Sequence, residues 1–341
     1  MKALFIVAPG KTEVRDIDRP VPAEGEVLLK VRKVGFCGGD LNGFRGTFSL
    51  QEYPVVLGHE VGAVIEELGK GVPDHMQTGM KATVYPYQAC GRCVSCRKGK
   101  PNACVDNRTM GVRRPGAMTD FITVPWQDLF LSEKLSLSDL ALVEPLTVGF
   151  HAVDRGEIHA GDKVAVIGCG IVGMGAVAGA VARGAEVIAV DIDDGKMTIA
   201  RKAGAAHGIN TLKSDLHETL QEITGGDGPD VIIEAVGNPR TYRAAVDEVA
   251  FTGKVVYIGY AKTPVEYETA IMVQKELTIR GSRNCIKQKD FPAVIEYLET
   301  GAFPTSDVVS RIVSPEEGGK ALADWSANPG PVTKIMLDLD T

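Results

Sequence analysis

No stretch of about 18 consecutive apolar residues occurs in the 341-residue chain, which excludes a membrane-spanning helix and sets aside a membrane partner. Basic residues are in deficit, 37 Lys and Arg against 44 Asp and Glu, so the net charge is −7. A phosphate-backbone partner such as nucleic acid is not expected of that balance. Internal repeats, low-complexity tracts and long linkers are missing. The apolar run Met1–Ala8 is short and ends in Pro9-Gly10 with no A-x-A site after it, so it reads as a first strand rather than a secretory leader. Cysteines number seven, an odd count with four clustered. That argues against a disulfide framework and fits metal binding in a reducing cytoplasm. What remains is a globular composition, 44% hydrophobic and 24% charged, long enough for two cores, with 39 glycines for tight turns and close backbone approach.

The first third is turn-rich, with strand-like segments at Met1–Ala8, Glu26–Val34, Pro54–Val64, Lys81–Pro86 and Phe121–Val124. Residues 88–105 have little apolar content and need something other than a core to hold them. Around Pro145 the pattern changes. A helix is expected over Leu146–Asp154, followed by strands Lys163–Ile167, Glu186–Asp191, Asp230–Val236, Lys254–Ile258 and Leu277–Arg280. Helices alternate with these at Ile171–Arg183, Lys196–Ala203, Ser214–Ile223 and Arg240–Val249. Nearly all-apolar strands alternating with helices imply a parallel sheet covered on both faces. A helix over Asp290–Glu299 and a strand-like tail, Lys334–Asp340, would return to the first domain. The expected division is therefore 1–147 with 285–341 as one domain and 148–284 as the other.

Three patterns carry chemistry. G-F-C-G-G-D at Gly35–Asp40 and G-H-E at Gly58–Glu60 put a thiol (Cys37), an imidazole (His59) and two carboxylates (Asp40, Glu60) close together in sequence. These donors suit a borderline-soft cation such as zinc with an open position. Alone they read equally as a buried Cys, a satisfied core His and surface acids. Cys90, Cys93, Cys96 and Cys104 form C-x2-C-x2-C-x7-C, the donor set of a closed structural zinc site. An iron–sulfur cluster is the rival, but its usual run closes with C-x3-C-P, whereas here the last gap is seven and Val105 follows. Finally, G-C-G-I-V-G at Gly168–Gly173 follows an expected strand and opens an expected helix. Gly168 allows the turn, Gly170 admits a pyrophosphate, Gly173 lets helix and strand pack, and the helix start at Ile171 and Val172 offers free N–H groups. The next strand ends in Asp191, placed for the ribose hydroxyls, with Ile192 and Asp193 following. No Arg directly follows to receive a 2′-phosphate, so NAD is expected rather than NADP.

Taken together with E-P-L at Glu144–Leu146, these motifs closely resemble the medium-chain, zinc-dependent alcohol/polyol dehydrogenases, over essentially the whole chain. The resemblance implies an α/β protein: a GroES-like, β-rich catalytic domain plus a Rossmann domain with a doubly wound parallel sheet. It implies two zinc ions per chain and NAD. The catalytic zinc would take Cys37 and His59, with Glu60 and Glu144 as oxygen ligands that alternate with a water. Asp40 would hydrogen-bond the far nitrogen of His59. Thr147, Val236, Ile258 and Ser282 would line the nicotinamide side of the cofactor. The reaction implied is hydride exchange between a secondary alcohol and the nicotinamide. A Glu at position 144 resembles the polyol and sugar branch, including enzymes acting on L-galactonate.

Two departures stand out. The family usually places a Ser or Thr at Gly39 and a His at Asn42 to pass the substrate proton outward. A water at the metal, Glu60 or the ribose hydroxyls are the substitutes. Arg113 lies in a loop that borders the substrate pocket in the family, Arg45 and Lys287 are other cations near expected pocket loops, and Asn284 ends a G-S-R-N segment that resembles the sugar-acid and polyol dehydrogenases. A carboxylate-bearing small molecule would explain one of the cations by a bidentate pair, and the alternative is that they are solvated surface charges. The other readings are a threonine-type amino-alcohol dehydrogenase, whose usual C-G-T-D-x-H this chain lacks, and a zinc- and NAD-binding protein that has lost turnover. A homodimer or homotetramer is usual for the family.

Overall fold

The computed structural model describes residues 1–48 and 51–340. The chain divides into two compact units. The first comprises Met1–Glu144, Ile286–Glu299 and the chain from Val309 onward, and the second Pro145–Cys285 with Thr300–Val308. The boundary thus falls between Glu144 and Pro145. Thr300–Val308, expected in the first domain, groups with the second: Phe303 and Val308 are buried, and Lys202 Nζ pairs with Asp307 at 2.6 Å.

In the first unit one strand organises the others. Glu26–Gly35 alternates inward apolar residues and pairs antiparallel with Glu60–Leu68 from Val27↔Leu68 to Gly35↔Glu60. Lys334–Asp338 pairs with its far end, setting Met336 opposite Gly35. Val309–Val313 lies parallel to Lys334–Asp338. Lys81–Val84 and Leu129–Leu131 extend the other side of the sheet, and Phe121–Pro125 pairs with the start of Glu26–Gly35. Side chains such as Val27, Leu29, Val31, Val61 and Ile65 form its core.

The second unit holds six parallel strands in the spatial order His207–Asn210, Glu186–Asp191, Lys163–Ile167, Val231–Glu234, Lys254–Tyr257, Thr278–Gly281. In order of sequence that is 3-2-1-4-5-6, the doubly wound arrangement of dinucleotide-binding sheets, whose direction of growth reverses between the first and fourth strands. Ligands of such sheets sit outside the carboxyl ends of the strands at that reversal. The cores are nearly all Val, Ile and Ala, as expected of strands buried on both faces.

Several elements differ from expectation. The helix containing Pro145 runs over Leu137–Gly156 rather than starting at Leu146. Strands His207–Asn210 and Val309–Val313 and helices Gly38–Phe44 and Pro315–Ala327 are additional. His207–Asn210 carries one strong strand former, Ile209, and exists by pairing with Ile188–Asp191. Gly318 and Gly319 disguise the helix Pro315–Ala327, although Ser314 and Glu317 form a capping box at its start.

Candidate functional site

The Gly35↔Glu60 register brings the two halves of the first motif together, because Cys37 lies two residues beyond one member of the pair and His59 one residue before the other. Cys37 is the N-cap of helix Gly38–Phe44: its Sγ accepts from Gly39 N at 3.3 Å, and its own N–H donates to Asp40 Oδ2 at 2.8 Å. The sequence G-F-C-G-G-D therefore folds as a capping box that fixes the thiol. The donor atoms of Cys37, His59 and Glu60 lie within 4.8 Å of one another, with His59 and Glu60 buried. Sulfur, nitrogen and oxygen at that spacing fit a zinc ion, and buried His59 Nδ1 and Asp40 Oδ1 have no hydrogen-bond partner. The expected Asp40–His59 hydrogen bond is not formed; Asp40 spends its other oxygen on the Cys37 N–H.

Burial pulls the His59 imidazole toward neutrality, but the charge of Cys37 and a hydrogen bond to it, with Glu144 and Asp40, hold its pKa well above the ordinary value. Burial raises the pKa of the Asp40 and Glu144 carboxyls. Glu144 is not in the three-residue cluster but is buried close to it, and it accepts from the Tyr87 hydroxyl.

Lys334, which sequence reasoning missed, is 1% exposed and donates to Glu60 Oε2 at 2.5 Å and to Phe36 O at 2.9 Å. A Cβ at Gly35 would stand 1.9 Å from Glu60 Oε2, so glycine is what lets that carboxylate lie back across the strand toward Lys334. Glu60 thus has one oxygen, Oε2, fixed by a buried ammonium. No periodicity announces this pairing; its one sequence signal is a lysine immediately before the apolar run Ile335–Leu337.

At Gly39 an added Cβ would meet only Cys37 Sγ, at 3.7 Å, so the pocket has room for the hydroxyl this chain lacks. Asn42 Oδ1 receives the Thr47 hydroxyl at 3.3 Å.

The four-cysteine lobe is self-contained. Its donor sulfurs also lie within 4.8 Å of one another, and Cys93 Sγ is 3.5 Å from Cys96 Sγ and 3.8 Å from Cys104 Sγ. Sulfurs tetrahedrally bound to zinc at ~2.3 Å stand ~3.8 Å apart, so the set fits a closed site. The Ser95 hydroxyl, with the Cys96 and Val105 N–H groups, holds the Cys93 thiol down at about 5, in its ligating form.

In the second unit Gly168 has φ +95° and turns the chain from strand into helix Ile171–Ala182, with Gly170 as N-cap. A Cβ on Gly173 would stand 1.8 Å from Gly168 O, whereas Gly170 faces open space. Ile171 and Val172 supply the first helical N–H groups. Asp191 Oδ2 accepts from Cys169 N at 2.7 Å, and its Oδ1 from Ile192 N at 2.7 Å and Asp193 N at 3.1 Å. The carboxylate is thus held on the glycine turn. Val236 (52% exposed), Ile258 and Ser282 follow the fourth, fifth and sixth strands at the same carboxyl edge. Buried Thr147 sits on the helix whose Leu146 and Gly149 pack against Gly175 and Ala176.

The substrate candidates are already engaged. Arg113 Nη1 pairs with Asp106 at 2.8 Å. Arg45 donates to Ser326 O at 2.5 Å near the end of helix Pro315–Ala327, a capping task. Lys287 pairs with Asp128 at 2.5 Å. Asn284 has φ +50°.

This combination of a thiol–imidazole–carboxylate cluster, a four-thiol lobe and a doubly wound dinucleotide sheet defines a zinc-type dehydrogenase. Residues 23–134 match the model of the alcohol dehydrogenase GroES-like domain, and residues 172–300 that of the zinc-binding dehydrogenases. The chain belongs to the zinc-dependent medium-chain alcohol/polyol dehydrogenase family. It is 30% identical to L-galactonate-5-dehydrogenase of Escherichia coli K12 over 91% of this chain and 90% of that protein. It is 32% identical to sorbitol dehydrogenase of Bacillus subtilis 168 over 99% of this chain and 97% of that one. Among solved structures, the short chain alcohol dehydrogenase RspB of E. coli CFT073, complexed with NADH, superposes with a TM-score of 0.90 at 28% identity, covering 99% of both chains. A zinc-binding dehydrogenase of Sinorhizobium meliloti 1021 bound to NADP gives 0.91 at 29% identity, covering 99% of this chain and 98% of that one.

Proposed function

We propose that the chain is an NAD-dependent dehydrogenase that interconverts a secondary alcohol and a ketone on a polyol, sugar or sugar acid. The observation that carries this reading is the convergence of Cys37, His59 and Glu60 donor atoms within 4.8 Å. Zinc, when bound, supplies the Lewis acidity that makes an alcohol oxygen acidic near neutral pH. Cys37 and His59 hold it, with Glu60 and Glu144 as the oxygen donors. Cys90, Cys93, Cys96 and Cys104 hold a second, structural zinc. Gly168–Gly173 seat the pyrophosphate on the start of helix Ile171–Ala182. Asp191 accepts from the ribose hydroxyls, and with Asp193 it repels a 2′-phosphate, which favours NAD over NADP. Val236, Ile258, Ser282 and Thr147 border the nicotinamide half and orient its ring for hydride transfer.

The substrate class is supported by the names of the relatives and by Glu rather than Cys at position 144. Among the described residues no helix is long and apolar enough to cross a membrane, and none of the seven cysteines is in a disulfide, which supports a reducing cytoplasmic setting. The unpaired outer edge of strand Thr278–Gly281 supports a homodimer or homotetramer, checked by the mass of the particle in solution. The decisive test is a screen of polyols, aldoses, aldonates and threonine with NAD and with NADP, following absorbance of the reduced cofactor. Reduction of NAD by a polyol, sugar or aldonate is expected. Turnover confined to threonine, or to NADP, would overturn the assignment.

A further inference from the structure

Glu234 closes strand Val231–Glu234 at the carboxyl edge of the parallel sheet. Among the described residues it is the one carboxyl group in the buried set of this unit. It has no ion-pair partner there. Its Oε1 accepts from Val236 N at 2.9 Å, Gly237 N at 2.8 Å and the Thr241 hydroxyl at 2.7 Å. Its Oε2 is buried without a partner. Its backbone carbonyl accepts from Ile258 N at 2.9 Å and Gly259 N at 3.2 Å. One residue therefore fastens two loops, the one after the fourth strand and the one after the fifth.

Those loops are also fastened to each other. A Cβ on Gly259 would lie 2.2 Å from Gly237 N, so the two backbones touch there. The Tyr242 hydroxyl donates to Gly259 O. The rings of Tyr242 and Tyr257 stack at 4.0 Å and 7°. Tyr257 donates to Tyr242 O at 2.9 Å, and Tyr267 donates to the Tyr257 hydroxyl at 3.1 Å. Burial raises the pKa of the Glu234 carboxyl, only partly offset by the bonds to its charged form. A buried acid with one unsatisfied oxygen and no cation is a standing cost to the fold. An apolar side chain would fill the space without that penalty, but it could not gather three donors from one loop.

We infer that Glu234 is a positioning residue for the nicotinamide half of the dinucleotide, holding Val236 and Ile258 in register at the carboxyl edge. The inference rests on the dinucleotide reading above and adds a division of labour within it. The glycine turn and Asp191 serve the adenosine half, and the Glu234 knot serves the other. Loss of the carboxyl should therefore weaken binding of the whole cofactor and leave its adenosine fragment untouched.

The test uses the full chain, with NADH and AMP as separate probes and thermal unfolding as a control. Glu234→Ala should weaken NADH binding, read from the fluorescence of the bound nucleotide, by about tenfold or more, which is at least ~1.4 kcal/mol. AMP affinity should stay within about threefold of the parent. Glu234→Gln keeps a carbonyl for the three donors and puts an amide where the unpaired oxygen stands; it should restore most of the NADH affinity. Equal NADH affinity in Glu234→Ala and the parent overturns the inference. So does parallel loss of NADH and AMP, which would mark Glu234 as a plain fold residue. Where Glu234→Ala does not fold, Thr241→Val removes one of the three donors. It should weaken NADH about threefold with AMP unchanged, and no change in NADH overturns the inference. A parent protein that binds neither probe sinks the dinucleotide reading itself, a result distinct from all of these.

Discussion

The two thiol clusters of the first unit use the same element of chemistry to opposite ends. In the lobe of Cys90, Cys93, Cys96 and Cys104 every donor is a sulfur, and the set is complete. A metal held there would have nothing left to bind and would serve to hold a segment that has almost no apolar core. At Cys37, His59 and Glu60 the donors are mixed. The thiol is fixed by a helix cap, the carboxylate is shared with a buried ammonium, and a second carboxyl, Glu144, waits beside them on Tyr87. A centre that binds and releases a substrate, the role proposed above for Cys37, His59 and Glu60, would need this incompleteness. The contrast teaches that ligand identity and what each ligand is tied to, rather than metal affinity as such, separate a scaffold site from a reactive one.

Crossing the two clusters gives the largest expected effect. Cys37→Ser should lower turnover on the order of a thousandfold or more while NADH binding and the melting temperature stay close to the parent. Cys104→Ser should do the reverse in kind, lowering the melting temperature and dropping metal content from about two zinc per chain to about one. If both variants lose stability and activity in the same proportion, the distinction between the clusters fails. A smaller effect is expected at the shared carboxylate. Lys334→Met leaves Glu60 buried without its counter-charge, a loss of about 3–5 kcal/mol. A competing chelator should then strip the metal at the Cys37 centre at a different rate while the four-thiol lobe keeps its own. Unchanged stability and unchanged metal release would show that the Lys334–Glu60 contact does not govern that centre. The smallest effect belongs to the other unit: Asp191→Ala should shift the ratio of NAD to NADP turnover by about tenfold toward NADP, and a constant ratio would place cofactor choice elsewhere.

Legibility from sequence followed the distance over which partners act. The four-cysteine lobe and the glycine turn are local, and residue spacing was enough to find them; the Cys37–Asp40 cap is equally local but was missed, because Asp40 was expected on His59. The parallel sheet was legible from its apolar strands, apart from His207–Asn210, whose strand character comes from its neighbour. Helix Pro315–Ala327 was hidden by paired glycines. Lys334, Tyr87 and the network around Glu234 were not visible, because each is defined by the register of strands or by a loop folding onto another loop. A lysine at the head of an apolar strand looks like a solvated end until Met336 is set against Gly35. The cations at Arg45 and Arg113 failed in the opposite sense, since nothing in a sequence shows that Ser326 and Asp106 already hold them.

The contact between Lys334 and Glu60 joins residues 274 apart in the chain. On the ribosome, the segment carrying Cys90 to Cys104 emerges long before Lys334 has been synthesised. The Glu60 carboxylate has no counter-charge until the strand Lys334–Asp338 docks beside Glu26–Gly35. Were both sites to take zinc, the four-thiol lobe would have all its donors on a nascent chain, whereas the Cys37 centre gains the partner of its carboxylate only on a finished protein.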